Sequence, residues 1–120
     1  MLVVEDDWGN QRVIDLLLRR LGIDVQIVDN GAEAVARIAE GGWDLVLMDQ
    51  HMPGMDGTEA TRLIRERHEG AALPIVALTA SVRSEDRERC LAAGMNDFLT
   101  KPVRQDDLRA CFAKWLRPAP

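Results

Sequence analysis

The sequence predicts a doubly wound α/β domain, in which helices cover both faces of a parallel sheet. Short, almost wholly apolar segments, typical of strands buried on both faces, alternate with amphipathic segments of helical period. Right-handed crossovers between such strands place helices on both faces. At 120 residues, 47% of them apolar, the chain suits one core and one domain spanning 1–120.

The first two strand and helix pairs lie in the first 48 residues. Residues 2–4 are apolar and stop abruptly at acids, and from about Asn10 apolar residues recur at helical spacing until Gly22 ends the helix. Next come a strand over 25–28, a helix that stops at two glycines and a third strand over 45–48. The apolar stripes of these helices are Ile14, Leu17, Leu18 and Leu21, then Ala34, Val35 and Ile38.

The second half continues the alternation. After a turn-rich loop we expect a third helix, a strand over 74–78, a helix over 84–93 with Ser84 as its N-cap, and a short strand over 96–99. A last helix comes next, and residues 117–120, Arg-Pro-Ala-Pro, are expected to be a linker remnant or tail. The stripes of these helices are Ala60, Leu63 and Ile64, and then Leu108, Cys111, Phe112, Trp115 and Leu116.

Composition and charge exclude several classes of protein. The net charge of -5 argues against a nucleic-acid footprint, and there is no run of about 18 apolar residues to span a membrane and no signal peptide. We therefore expect a soluble, cytoplasmic domain without nucleic-acid or membrane contact. In that compartment Cys90 and Cys111 are expected to be free core residues rather than a disulfide.

The most informative residues are those at the carboxyl ends of the strands. In a parallel sheet all carboxyl ends meet at one edge, here called the carboxyl-end rim. We expect the strand order 2-1-3-4-5 of flavodoxin-like domains, in which strands one and three are neighbours at the switch point where ligands bind. Neighbouring strands lie about 4.8 Å apart, so Asp6 and Asp49 should reach one shared cation. The residues expected on this rim are Glu5, Asp6, Asp49, Thr79, Thr100 and Lys101.

Oxygen-only ligands with room for water and phosphate favour Mg²⁺ over Zn²⁺. A carboxylate beside Mg²⁺ can attack a phosphoryl group, and we predict Asp49 as this nucleophile. Lys101 would supply a second positive charge, and the Thr79 hydroxyl would donate to a phosphoryl oxygen.

With these residues in place, the chain resembles the receiver domains of two-component response regulators. The resemblance runs through "VVEDD", "LVLMDQHMPGMDG", "PIVALTA" and "AAGMNDFLTKP", nearly the whole chain. The residues of "LVLMDQHMPGMDG" and "AAGMNDFLTKP", together with Asn10 and Gln11, are most similar to those of receivers in hybrid sensor histidine kinases. A stand-alone single-domain response regulator would fit the same residues.

The resemblance implies a role for each matched residue. Glu5 and Asp6 would be the acidic pair and Asp49 the phosphoacceptor, modified to 4-aspartylphosphate, while the backbone carbonyl of His51 would complete the protein's Mg²⁺ ligands. Thr79 would be the switch hydroxyl and Lys101 the cation that pairs with phosphate. The remaining implied features are a small residue at Ala80, a switch aromatic at Phe98 and a cis peptide bond between Lys101 and Pro102.

Two residues depart from the common pattern of the family. Glu5 stands where many relatives carry aspartate, so affinity for Mg²⁺ would change while the chemistry survives. Phe98 lacks the phenol of a tyrosine, which removes one hydrogen-bond partner from the switch.

Partners are implied by the same resemblance. A histidine kinase or a histidine phosphotransfer domain would donate the phosphoryl group, and the surface from about Val82 to Leu116, which spans the fourth helix, the fifth strand and the fifth helix, would form the output face and a possible homodimer contact.

Some rim residues also have plain structural interpretations. Asp7 and Asp56 are expected to be a helix-entry acid and a turn residue, and the His51 side chain lacks a companion ligand for a metal. Two other functions remain open: a phosphohydrolase, which would need an acid at position 51 and a substrate cap, and a pseudo-receiver that is never phosphorylated. We expect a receiver rather than an enzyme, one that assists only its own phosphorylation and dephosphorylation.

Overall fold

A computed structural model of the chain describes residues 1–52, 54–67, 73–80 and 83–116. Pro53, Val82 and the predicted tail over 117–120 lie outside this part. The strands are β1 (Leu2–Val4), β2 (Gln26–Val28), β3 (Val46–Asp49), β4 (Ile75–Thr79) and β5 (Asp97–Thr100). The helices are α1 (Trp8–Arg20), α2 (Gly31–Ala39), α3 (Gly57–Arg65), α4 (Ser84–Ala93) and α5 (Gln105–Trp115).

The strands form one parallel sheet in the order β2-β1-β3-β4-β5, which confirms the predicted fold class and strand order. β1 and β3 are neighbours, with Val4 opposite Met48, so the segments after these two strands leave the sheet side by side. β4 continues the sheet with Leu78 opposite Asp49. The carboxyl-end rim is thus assembled from β1, β3, β4 and β5.

Four of the five strands begin one residue later than predicted, and β3, β4 and β5 also end one residue later. Asp49, Thr79 and Thr100 are therefore the last residues of their strands rather than the residues after them. The last apolar side chain does not mark the end of the strand, because backbone pairing does not depend on the side chain and continues for one more residue.

The two faces of the sheet carry separate cores. Leu2, Val46 and Met48 pack with α2, α3 and α4 in one core, here called the α3-side core. Val3 and Leu47, which point to the opposite face, pack with α1 and α5 in the α5-side core. This alternation decides which residues at the strand ends share a face.

Side-chain caps explain where three helices begin. Asp7 accepts a hydrogen bond from the Asn10 backbone N–H at 2.8 Å, so α1 starts at Trp8, earlier than predicted. Asp56 caps α3 by accepting from the Glu59 N–H at 2.9 Å. The interpretation of Asp7 as a helix-entry acid is therefore confirmed, whereas Asp56, predicted as a turn residue, is the N-cap of α3. Asn30 caps α2 in the same way.

The predicted N-cap at Ser84 is wrong. The backbone carbonyl of Arg83 accepts hydrogen bonds from the N–H groups of Asp86 and Arg87, so the first turn of α4 closes on Arg83 and Ser84 already lies inside the helix. The N-cap position of α4 carries no side-chain cap hydrogen bond. Glu85 and Asp86 remain in the first turn, where they favour the positive end of the helix dipole.

No helix in the described ranges is long and apolar enough to cross a membrane. Cys90 and Cys111 are both buried and free, as predicted. Burial raises the pKa of the Cys111 thiol to about 12 and raises that of Cys90 as well, so neither thiol is a ready nucleophile.

Candidate functional site

The alternation of the strands brings Glu5 and Asp49 together. Val3 and Leu47 both belong to the α5-side core, and two residues further along each chain segment the same face presents Glu5 and Asp49 at the rim. The Glu5 backbone N–H donates to the Val28 carbonyl at 3.0 Å. Backbone pairing thus fixes where both acids leave the sheet.

Three carboxylates meet at this point. Glu5, Asp6 and Asp49 each present an oxygen within 4.8 Å of those of the other two. Glu5 is 0% exposed and Asp49 is 4% exposed, whereas Asp6 is exposed to solvent. The cluster is therefore closed on the protein side and open at Asp6, as expected of a site that takes a ligand from solution.

Lys101 provides the positive charge at the cluster. Its Nζ lies 3.1 Å from Asp49 Oδ1 and donates to the two carboxylate oxygens of Glu5 at 3.1 and 3.3 Å. The Lys101 backbone N–H donates to the Thr79 carbonyl at 2.8 Å, and the Lys101–Pro102 peptide bond is cis, as the resemblance implied. β4 and β5 together therefore aim the ammonium at the acids.

The charges at the cluster shift the pKa values of its members. Burial, together with the adjacent Glu5 carboxylate, raises the pKa of Asp49 to about 6, and Lys101 only partly offsets this. Desolvation and the nearby Asp49 raise the pKa of Asp6. Burial alone would lower the pKa of Lys101, but Asp49 and Glu5 raise it. The negative charges of the clustered carboxylates thus repel one another, and the single positive charge of Lys101 does not cancel this repulsion.

This donor set fits a hard divalent cation. It consists of carboxylate oxygens, it carries more negative than positive charge, and one of its acids remains open to water. No histidine or cysteine side chain joins the cluster among the described residues, which argues against zinc.

The turn after β3 is built around Asp49. The His51 backbone N–H donates to Asp49 Oδ1 at 3.3 Å, while the His51 residue is exposed. Its predicted carbonyl contact with a metal stays a prediction. A side chain at Gly57 would overlap the Asp49 carbonyl oxygen, so glycine allows α3 to begin directly against this strand end.

A second row of residues lies on the α3-side face of the rim. Thr79 is 3% exposed, and its register partner on β5 is Thr100. One step deeper, Ala77 separates Met48 from Phe98.

Phe98 is partly buried against the α3-side core, and the Arg87 guanidinium lies 4.4 Å from its ring centroid. Ala80 is exposed at the end of β4. These positions are compatible with the roles that the resemblance implies for Thr79, Ala80 and Phe98, and the roles themselves stay predictions.

Sequence reasoning missed two residues at the site. The Gln11 side chain on α1 donates to the Glu5 carbonyl at 2.6 Å and so holds the acidic segment against the helix. Gln50, directly after Asp49, is 1% exposed. A polar residue between Asp49 and His51 is typical of a loop, and no pattern in the sequence marks it as buried.

Comparisons with known proteins agree with this geometry. The response regulator receiver domain family matches residues 1–113. The sensor histidine kinase GacS of Pseudomonas protegens is 44% identical over 119 residues, which cover 96% of this chain and 13% of the kinase. The histidine-protein kinase BarA of Escherichia coli is 36% identical over 115 residues, covering 96% of this chain and 12% of the kinase. The chain thus spans a small part of these relatives.

Two solved structures share the fold closely. The receiver domain of sensor histidine kinase PA1611 from Pseudomonas aeruginosa, with a magnesium ion in its active-site cleft, has a TM-score of 0.88 and 44% identity, covering 96% of this chain and 94% of that one. The receiver domain of Ssk1 from Saccharomyces cerevisiae, in complex with the histidine phosphotransfer protein Ypd1, has a TM-score of 0.86 and 38% identity, covering 95% and 86%. The chain belongs to the response regulator receiver domain family, and it is homologous to the receivers of hybrid sensor histidine kinases.

Proposed function

We propose that this receiver accepts a phosphoryl group from a phosphohistidine onto Asp49, in a reaction that requires Mg²⁺. The observation that carries the proposal is the convergence of Glu5, Asp6, Asp49 and Lys101 at the carboxyl-end rim. Asp49 lies at its centre, adjacent to two acids and one ammonium.

The transfer needs few protein groups. A carboxylate oxygen of Asp49 attacks phosphorus in line as the P–N bond to the donor imidazole breaks, and the bonding electrons return to the imidazole nitrogen. The new P–O bond makes an acyl phosphate. Lys101, already 3.1 Å from Asp49, neutralises charge on the phosphoryl oxygens, and the Thr79 hydroxyl donates to one of them.

Asp6, Asp49 and the carbonyl of His51 would hold the metal, and Glu5 would reach it through water. When bound, Mg²⁺ supplies positive charge that relieves repulsion among the carboxylates and stabilises the transferred phosphoryl oxygens. Lys101 donates to both carboxylate oxygens of the buried Glu5 and so holds that side chain at the site. The burial of Glu5 and Asp49 excludes water from one side of the reacting carboxylate.

Phosphorylation would act by shifting an existing equilibrium. Thr79 moves towards the phosphoryl group, Ala80 leaves the phosphoryl group room, and Phe98 turns inward into the space that Thr79 vacates. Because Arg87 on α4 packs over the Phe98 ring, rotation of Phe98 would change the contact that holds α4. The surface formed by α4, β5 and α5 would then be read by a partner or by a second copy of the chain.

The parent protein is proposed to be a hybrid sensor histidine kinase, which is supported by the similarity to GacS and BarA. The donor would be the kinase itself or a histidine phosphotransfer protein, such as the one bound to the Ssk1 receiver. In this proposal the domain assists only its own phosphorylation and dephosphorylation and lies in the cytosol, where ATP charges the kinase. A stand-alone regulator is the second candidate, because the site would be the same.

Labelling with acetyl phosphate, a small phosphodonor, tests the proposal. We expect Mg²⁺-dependent, acid-labile incorporation of one phosphoryl group per chain, followed by decay, and no incorporation into Asp49→Ala or in excess chelator. The matched control is Asp44→Ala, an exposed acid near the opposite end of β3.

The outcomes separate the alternatives. A phosphohydrolase would release phosphate steadily without accumulating label, and a pseudo-receiver would never be labelled. Full labelling of Asp49→Ala would remove Asp49 from the role proposed for it.

A further inference from the structure

Gln50 is a buried polar residue that the proposed chemistry does not use. It is 1% exposed, yet neither Oε1 nor Nε2 of its amide has a hydrogen-bond partner among the residues that the structure describes. Buried amides are rarely left in this condition, because removal from water without a new partner is costly. The side chain is therefore poised to accept or donate a bond to a nearby group.

The backbone of Gln50 is tightly held. Its N–H donates to the Leu78 carbonyl at 3.0 Å, and its carbonyl accepts from the Gly57 N–H at 3.0 Å. A side chain at Gly57 would contact the Gln50 Cα, so α3 closes against this point. Only the side-chain torsions of Gln50 are left to bring its amide to a partner.

The register of the sheet identifies that partner. Met48 lies opposite Ala77 and Asp49 opposite Leu78, and the bond from the Gln50 N–H to the Leu78 carbonyl continues the ladder by one step. Gln50 is therefore the cross-strand neighbour of Thr79. Both side chains belong to the face of Met48 and Ala77, since side chains alternate along a strand.

We infer that Gln50 is a positioning residue for the Thr79 hydroxyl, an inference that rests on the proposed phosphoryl transfer to Asp49. In the phosphorylated state the amide Nε2–H would donate to Thr79 Oγ1, which would direct the hydroxyl proton away from Gln50 and towards the phosphoryl oxygen. A hydroxyl can accept from the amide and donate to the phosphoryl group at the same time. Gln50 itself does not touch the reacting atoms.

A double-mutant cycle between Gln50→Met and Thr79→Ala tests this coupling. Methionine matches glutamine in length and lacks the amide. With acetyl phosphate and Mg²⁺, we expect Gln50→Met to slow labelling of Asp49 by roughly three- to tenfold, the range of one neutral hydrogen bond. In the Thr79→Ala background the same change at Gln50 should have almost no effect, because the hydroxyl that it orients is gone.

A second measurement detects the bond without relying on catalysis. The Gln50 side-chain amide resonances should shift on addition of Mg²⁺ and beryllofluoride, an acyl-phosphate mimic, in the wild type and in Thr79→Ser, but not in Thr79→Ala. If Gln50→Met does not fold, Gln50→Asn, which keeps the amide on a shorter side chain, takes its place. Gln50→Asn should slow labelling of Asp49 when Thr79 is present and should have almost no effect in Thr79→Ala.

Equal rate effects of Gln50→Met in both backgrounds, or no effect in either, would overturn the inference. A Gln50→Met variant that is more stable to heat and labels at the wild-type rate would also overturn the inference. Gln50 would then be an unsatisfied core residue with no role in orienting Thr79. These outcomes leave wild-type labelling intact, whereas a wild type that takes no phosphoryl group overturns the proposed function and this inference together.

Discussion

α3 and α4 are neighbouring helices of similar length that pack on the same face of the sheet, yet they are anchored very differently. α3 buries five of its nine residues and begins with the Asp56 cap. α4 buries only Cys90 and Ala93 of its ten residues and has no side-chain cap hydrogen bond. β5, on which α4 leans, has no fully buried residue.

The difference matches the proposed division of labour. α3 closes directly against Asp49 and Gln50 through Gly57, so it belongs to the rigid half of the site. α4 comes after the strand that ends in Thr79 and contacts Phe98 through Arg87. A helix with little buried area can be displaced at low cost, which suits a surface that reports the state of the site. Three experiments measure how far this contrast goes.

The largest expected effect comes from truncating equivalent side chains on the two helices. Ile64 on α3 is 2% exposed, and Ile64→Ala should lower the free energy of unfolding by about 2–4 kcal/mol because it leaves a cavity. Leu91 on α4 is 54% exposed, and Leu91→Ala should cost less than about 0.5 kcal/mol. Urea denaturation of both variants provides the measurement, and equal losses would remove the contrast.

Neutralising Asp49, against which α3 packs at Gly57, should have the next largest effect on the free energy of unfolding. The pKa of Asp49 is raised to about 6 in the folded protein, so ionised Asp49 disfavours folding. This penalty is absent below the ordinary value of 3.8, grows as the pH rises between 3.8 and about 6, and is complete above that. Without Mg²⁺, Asp49→Asn should therefore be more stable than the wild type at pH 7.5 by roughly 1–3 kcal/mol.

Thermal unfolding at pH 7.5 and pH 3.5 checks this sign. The difference in stability between Asp49→Asn and the wild type should disappear at the lower pH. At pH 7.5, Mg²⁺ should narrow this difference, because the wild type has one more carboxylate ligand and is stabilised more. Asp44→Asn, on an exposed acid, serves as the control and should change little. A wild type more stable than Asp49→Asn without metal would show that repulsion does not govern the cluster.

The helix caps give the smallest effect. Asp56→Ala should cost about 1 kcal/mol, since it removes the bond to the Glu59 N–H, whereas Ser84→Ala should be neutral or slightly stabilising inside a helix. Burial alone would raise the pKa of Asp56, but the hydrogen bonds from the Glu59 N–H and the Thr58 hydroxyl outweigh it and lower the pKa. The contribution of Asp56 to the free energy of unfolding should therefore be lost as the pH falls below 3.8. If Ser84→Ala instead lowered the free energy of unfolding by a large amount, Ser84 would be a cap after all.

The features that the sequence predicted well are those set by periodicity. Apolar runs predicted the strands and the polar residues at their ends, and the flavodoxin-like strand order then predicted the convergence of Glu5, Asp6, Asp49 and Lys101. Strand ends were displaced by one residue because pairing continues past the last apolar side chain.

The features that could not be predicted depend on contacts between distant segments. The burial of Gln50 results from α3 closing at Gly57, and the bond from Gln11 to the Glu5 carbonyl depends on how α1 leaves β1. Ser84 resembled a cap by residue type alone, and the turn geometry set by Arg83 decided otherwise.

The position of the phosphoryl group is the most direct test of the account. After reaction with acetyl phosphate and Mg²⁺, borohydride reduces an aspartyl phosphate to homoserine, which peptide mass spectrometry can locate. We expect homoserine at position 49 alone, in amounts that depend on Mg²⁺ and on Lys101. Homoserine at position 6 or 56, or none in a protein shown to be folded and metal-bound, would contradict the claim that these acids and Lys101 form a phosphoacceptor site.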